Sequence, residues 1–99
     1  MERMPAKLLF ERTVIGNKGS VMGKVKDIVF DEKVGRLVSL EIEPSEHSPV
    51  MKEEGKNVLL PYKLVVAIKD VVVIDESNLN RINIRVADQW FLSLLINFN

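Results

Sequence analysis

A chain of 99 residues with fourteen basic and fourteen acidic side chains and no cysteine carries no formal net charge. That length supports one hydrophobic core and excludes a second independently stable domain. The charge balance removes the long-range field that draws a protein onto nucleic acid or an anionic membrane, and the missing thiols exclude disulfides, a thiolate nucleophile and cysteine-ligated zinc. Near the start, Leu8-Leu9-Phe10 is far shorter than the roughly 7–15 apolar residues of a secretory signal, so a cytoplasmic protein is expected.

In chain order, Lys7 to Arg12 reads as a short strand, and Gly16-Asn17-Lys18-Gly19 as a hairpin turn in which glycine supplies positive φ. From Val21 to Asp31 the pattern is a strand whose apolar character changes face near Asp27. Such a change predicts a bulge or a barrel corner between Gly23 and Ile28, with Gly23 suited to close backbone approach. Asp31-Glu32-Lys33-Val34-Gly35-Arg36 follows as a turn of hairpin length. In Leu37 to Glu43, Val38, Leu40 and Ile42 alternate with Ser39, Glu41 and Glu43, a strand with one wet face that ends at Pro44.

Ser45 to Asn57 holds Pro49, Gly55 and mostly charged residues, and reads as a long exposed loop. Val58 to Leu60 is a short strand running into Pro61, which lacks an N–H and therefore belongs at a strand end, edge or corner. Lys63 to Ile68 fits either a short strand or one helical turn. Lys69-Asp70 then turns the chain into Val71-Val72-Val73-Ile74, whose unbroken β-branched run predicts a strand away from the sheet edge.

Gly16, Gly23 with Val25 and Asp27, the Asp31-to-Gly35 turn, the strand to Ile42, the Leu60-Pro61-Tyr62 corner and Ala67-Ile68 before Lys69-Asp70 together resemble a PRC-barrel domain. The resemblance covers residues 8–76 and implies an all-β fold, a small, partly open antiparallel barrel of five to six strands. Residues 77–99 remain as a C-terminal extension. The small stand-alone archaeal members are the most similar, and some of them are associated with cell-division machinery. Ribosome-maturation factors and the photosynthetic reaction-centre subunit carry the domain beside a second domain or a membrane helix. Neither is present in this chain, so those two functions do not transfer.

Within the extension, Ile82, Ile84 and Val86 alternate as a further strand, and Asp88 is placed to cap a short helix through the apolar residues that follow. As a helix that segment reaches only about 16 Å, too short to span a membrane. It packs on its own barrel, inserts into a membrane surface or forms a subunit contact, and in the last case Trp90, Phe91, Leu94, Leu95 and Phe98 are the anchors of a homodimer.

The chemistry-bearing residues are sparse. His47 is the only histidine and reads as a solvated loop residue. Glu41, Glu43 and Glu46 lack the dense Asp/Asn pattern of a calcium loop, and Asp27 and Asp31 serve as backbone acceptors. No enzyme, metal or cofactor is expected. Lys18, Lys24, Lys26 and Arg36, with Lys33, form a modest basic cluster that offers a polyanion contact, but Asp27, Asp31 and Glu32 interrupt it and Tyr62 alone nearby could stack a base. The resulting expectation is a non-enzymatic interaction module that pairs with itself and an unidentified protein; an RNA-binding or ribosome-maturation accessory barrel is the alternative.

Overall fold

The computed structural model describes residues 6–87. Seven strands form one open sheet in the order β5-β6-β1-β2-β3-β4-β7: β1 (Thr13–Gly16), β2 (Val21–Asp31), β3 (Arg36–Pro44), β4 (Val58–Pro61), β5 (Val65–Ile68), β6 (Val72–Ile74) and β7 (Arg85–Val86). The described residues contain no α-helix, only three single 3-10 turns. The all-β expectation is met by a barrel that does not close. Strands β1 to β6 meet the expected five to six, and the extension contributes the further strand expected of it, β7, paired with β4.

Bulges curl the sheet. On β2, Met22 is the extra residue against β1 and Lys26 is the extra residue against β3. Each inserted residue increases the local twist and shifts the side-chain alternation by one, which is how Met22 and Val25, three apart in sequence, are both fully buried. This is the bend expected between Gly23 and Ile28. Gly23 sits between the two bulges at φ +151°, where an added Cβ would meet the Glu43 carbonyl oxygen. β3 and β5 carry bulges of their own at Val38 and Val66.

Leu40 and Ile42 of β3, Val58 and Leu60 of β4 and Val72 and Ile74 of β6 project into one core with Val14, Met22 and Val25. Leu9, Leu64, Val50 and Ile84 join it from outside the strands. Burial at this density supplies the main stabilising term, about 1.5–3 kcal/mol for each large aliphatic side chain before the entropy of ordering is counted.

Four expectations change. Lys7 to Arg12 is not a strand. Residues Ala6–Leu9 form a 3-10 turn, Arg12 N–H donates to the Leu9 carbonyl at 3.1 Å, and Glu11 takes φ 68°. Leu9 is thereby turned into the core, and the regular strand begins at Thr13, although Glu11 N–H already donates to the Val25 carbonyl and the Arg12 carbonyl accepts from Val25 N–H. The sheet is also not wholly antiparallel, since β6 runs parallel to β1. Parallel neighbours need a long crossover, here supplied by everything between them.

The Ser45-to-Asn57 segment is exposed at its charged residues but anchored in the middle. Val50 is fully buried and Ser48 nearly so, with Ser48 Oγ accepting from Val50 N–H at 3.3 Å. One apolar side chain thus ties this loop to the core. Lastly, the alternating Ile82-Ile84-Val86 pattern yields a strand only at Arg85–Val86. Residues Leu79–Arg81 turn instead, and Ile82 and Ile84 pack on the core. Tyr62–Leu64 and Val65–Ile68 realise both readings of their region, a 3-10 turn followed by a strand.

Candidate interaction surface

The predicted basic cluster is taken apart by the fold. Lys26 Nζ donates to Glu11 Oε1 at 2.7 Å. This hydrogen bond holds the Glu11 carboxyl below its usual range and raises the Lys26 ammonium above its own. Lys24 lies directly across from Glu43 on β3, and Arg36 across from Asp31. Lys18, in the β1–β2 turn, stands beside Asp75 and Glu76. Lys18 and Arg36 lie at opposite ends of β2, which at about 3.3 Å per residue places them on the order of 30 Å apart. No continuous positive surface results from these four residues.

Asp27 and Asp31 behave as local acceptors. Asp27 Oδ1 takes its neighbour Ile28 N–H at 2.8 Å, and Asp31 Oδ1 takes Lys33 N–H at 2.9 Å. His47 is exposed at φ 64°, with Glu46 Oε1 at 3.6 Å from its Nε2. Glu41 accepts from Asn57 Nδ2 at 2.8 Å, and among the described residues no group of three or more His, Cys, Asp or Glu is placed to hold a metal ion. A shallow cleft of about 210 Å³ opens between the end of β3 and the following loop, lined by Glu43, Pro44, Met51, Gly55, Lys56 and Asn57. Its two charged side chains are exposed to solvent.

One apolar feature stands out on this neutral surface. β1 and the two residues before it cover β2 only as far as Val25, and β4 pairs β3 only from Ser39 onward. Residues 29–38 therefore project as a two-stranded ribbon beyond both flanking strands. Ile28 and Leu37 anchor its base on the core. Further out, Phe30 is 52 % exposed, Val38 47 % and Val34, at the turn, 63 %. The Val38 bulge is part of the cause, since it breaks the alternation that would have directed apolar side chains inward. Two strands alone are marginal in water, so an apolar ribbon of this kind gains from being covered.

The sequence offered no local signal for a second feature, a carboxylate clamp on the β1–β2 turn. Glu76 accepts from Lys18 N–H at 2.9 Å and from Ser20 Oγ at 2.8 Å. Asn17 Oδ1 accepts from Glu76 N–H at 3.1 Å, and Asn17 N–H donates to the Ile74 carbonyl at 2.9 Å. Gly16 leaves the room, since a Cβ there would overlap the Glu76 carboxylate. The parallel β1–β6 pair creates the juxtaposition across almost sixty residues, which no short-range pattern encodes. The Ser20 hydroxyl, aided by the Lys18 and Ser20 amides, holds the Glu76 carboxyl below its ordinary value of 4.5. A group depressed on folding contributes stability that is present above its unfolded pKa and is lost as pH falls through the folded one. Thermal melts should therefore show Glu76→Gln less stable than the parent at pH 7, with the gap narrowing below about pH 4.5; a gap constant down to pH 3 would rule the clamp out.

Trp90, Phe91, Leu94, Leu95 and Phe98 lie outside the described residues, as does the helix expected after Asp88. No helix among the described residues is long and apolar enough to cross a membrane.

Comparison with known proteins supplies the lineage. An uncharacterized protein of Methanocaldococcus jannaschii is 85 % identical over 88 residues, covering 89 % of this chain and 99 % of the relative. Among solved structures, one described as a 16S ribosomal RNA processing protein RimM from Pseudomonas aeruginosa superposes with a TM-score of 0.55 at 16 % identity. The match covers 76 % of this chain but only 44 % of that one, and at such identity the likeness is one of fold. A PRC-barrel domain model matches residues 1–81, a span that takes in β1 to β6, the bulged β2 and the Leu60-Pro61-Tyr62 corner. With the open, bulged barrel and this match in agreement, the chain belongs to the PRC-barrel domain family.

Proposed function

We propose that this PRC-barrel protein is a non-enzymatic interaction module that acts in the cytoplasm by binding protein, its own copies included. The observation that carries this reading is the exposure of Phe30, Val34 and Val38 on a ribbon held clear of the barrel, on a surface that carries no net charge. Exposed aromatic and aliphatic side chains are what protein interfaces use as anchors. The apolar C-terminal residues Trp90, Phe91, Leu94, Leu95 and Phe98 are the further anchors that the sequence suggests. An adaptor in an archaeal division apparatus is the biological setting that the family resemblance suggests, by analogy of family and not of site.

The rival reading is RNA binding of the ribosome-maturation kind, favoured by the fold-level likeness to RimM. It draws on Lys18, Lys24, Lys26 and Arg36, of which Lys26 is already bonded to Glu11 and Lys24 and Arg36 face acidic partners across the ladder. Sedimentation equilibrium across a concentration series, run beside chromatography on immobilised poly(U), separates the two. The expected result is a mass that rises with concentration and no salt-sensitive retention. Retention that falls steeply with salt and disappears in the Lys24→Glu, Lys26→Glu variant would replace the interaction module by the RNA reading.

A further inference from the structure

We infer that the outward face of β4, centred on Leu59, is a docking site within this chain, and that its occupant is the chain's own C-terminal segment, residues 88–99. The inference goes beyond the interaction reading, which rests on the ribbon and stands or falls separately.

Val58 and Leu60 point into the core, so Leu59 between them points to the other side of the sheet. Of the buried apolar side chains among the described residues, Leu59 is the one that does not belong to the core, yet it is only 6 % exposed. Its direct cross-strand partners are Glu41 on β3 and Arg85 on β7, residues whose charged ends call for water. Two positions away on the same face, Asn57 Nδ2 donates to Glu41 Oε2 at 2.8 Å, and both of these residues are half-buried. A leucine shielded to this degree on the outer side of a sheet, beside polar neighbours that are themselves partly covered, marks a face over which apolar chain lies.

Chain continuity selects the occupant. Ala87 N–H donates to the Asn57 carbonyl at 2.7 Å, which extends the β4–β7 ladder by one residue and delivers the chain to the rim of this face. In the same register position 88 falls opposite Lys56, so Asp88 meets a base where the chain must turn. After it, Gln89, Ser93 and Asn97 recur at every fourth residue, and the others as far as Phe98 are all apolar. As a helix that pattern has one wet stripe and an apolar remainder that requires cover. Residues 89–99 in helical form reach about 16 Å and β4 spans about 13 Å, so the segment fits along the strand. Tethered at Ala87, it is held at an effective concentration of millimolar order, which a second copy or another partner in free solution must exceed.

Trp90 is the only tryptophan, so its fluorescence reports the docking without a label. In the full chain its emission should be blue-shifted, and acrylamide should quench it severalfold more slowly than free N-acetyltryptophanamide, to the same extent at every protein concentration. Leu59→Ser should move the emission to the red and restore most of the quenching, whereas Val66→Ser, at a side chain 57 % exposed on β5, should leave both unchanged. Circular dichroism melts check that the variants fold. Where Leu59→Ser does not, a double-mutant cycle of Leu59→Ala with Phe91→Ala supplies the test, and the two stability losses should fall short of additive. Parent Trp90 quenched as fast as the free indole would overturn the docking. Shielding that appears only as the mass doubles with concentration, or only on adding phosphatidylglycerol vesicles, would replace the chain's own face by a second copy or a membrane surface. Shielding unchanged in Leu59→Ser, or additive losses in the cycle, would place the segment elsewhere than over Leu59.

Discussion

Gly23→Ala should destabilise the barrel by about 3 kcal/mol or more, enough to leave a marginal domain of this size partly unfolded. Two independent costs combine at this position. The backbone stands at φ +151°, which L side chains rarely adopt, and an added Cβ would overlap the Glu43 carbonyl oxygen and lie 2.9 Å from Pro44 Cα. Both obstacles are backbone atoms of the paired strand, so no rotamer change relieves them. β2 and β3 must separate locally, and the separation falls between the Met22 and Lys26 bulges that bend the sheet. Gly35→Ala is the control. Its φ is +68° with nothing within 4 Å of the added Cβ, and the left-handed strain alone costs about 1–2 kcal/mol. Urea unfolding of the two variants measures the difference directly. Equal losses would show that β2 and β3 do not approach at Gly23 as described.

Leu40→Ala should cost about 2–5 kcal/mol. Leu40 is fully buried at the middle of β3 and is the direct cross-strand partner of Ile28 on β2 and Leu60 on β4. That row of three apolar side chains crosses the centre of the sheet and joins the ribbon's base to the core. Removing the Leu40 side chain leaves a cavity bounded by paired strands, which cannot collapse without breaking a ladder. Val38→Ala, two residues away on the same strand but 47 % exposed, should change stability by no more than about 0.5 kcal/mol. Urea midpoints of the pair test the assignment of faces. If Val38→Ala proves as damaging as Leu40→Ala, the alternation of β3 runs unbroken through Val38 and the bulge there is absent.

That comparison also shows where the sequence is a sufficient guide and where it is not. The alternation from Leu37 to Glu43 places Val38, Leu40 and Ile42 on one face, yet only Leu40 and Ile42 reach the core. The bulge at Val38 reflects the pairing of β3 with β2, and a bulge on one strand is defined only against its partner. The bend in β2 was legible because the apolar pattern itself changes face near Asp27. The Gly35 turn was legible because Asp31 and a left-handed glycine act within a few residues of one another.

The candidate surface was less legible still. Lys18, Lys24, Lys26 and Arg36 are near in sequence but are distributed along an eleven-residue strand, and Glu11, which takes Lys26, belongs to a turn that the Lys7-to-Arg12 pattern presents as a strand. Phe30 and Val34 read as ordinary strand and turn residues. Their exposure depends on where β1 and β4 stop pairing, a property of the assembled sheet.

By itself the sequence determined the all-β class, the family, the corner at Pro61 and the positions of the hairpin turns, because proline, glycine, aspartate and period-2 alternation act through the local backbone. The tertiary structure alone decided the parallel β1–β6 pair, the Glu76 clamp, the burial of Val50 and the projection of the β2–β3 ribbon. Each of these joins residues far apart in the chain, and such contacts are selected by the packing of one shared core, for which a linear pattern carries no address.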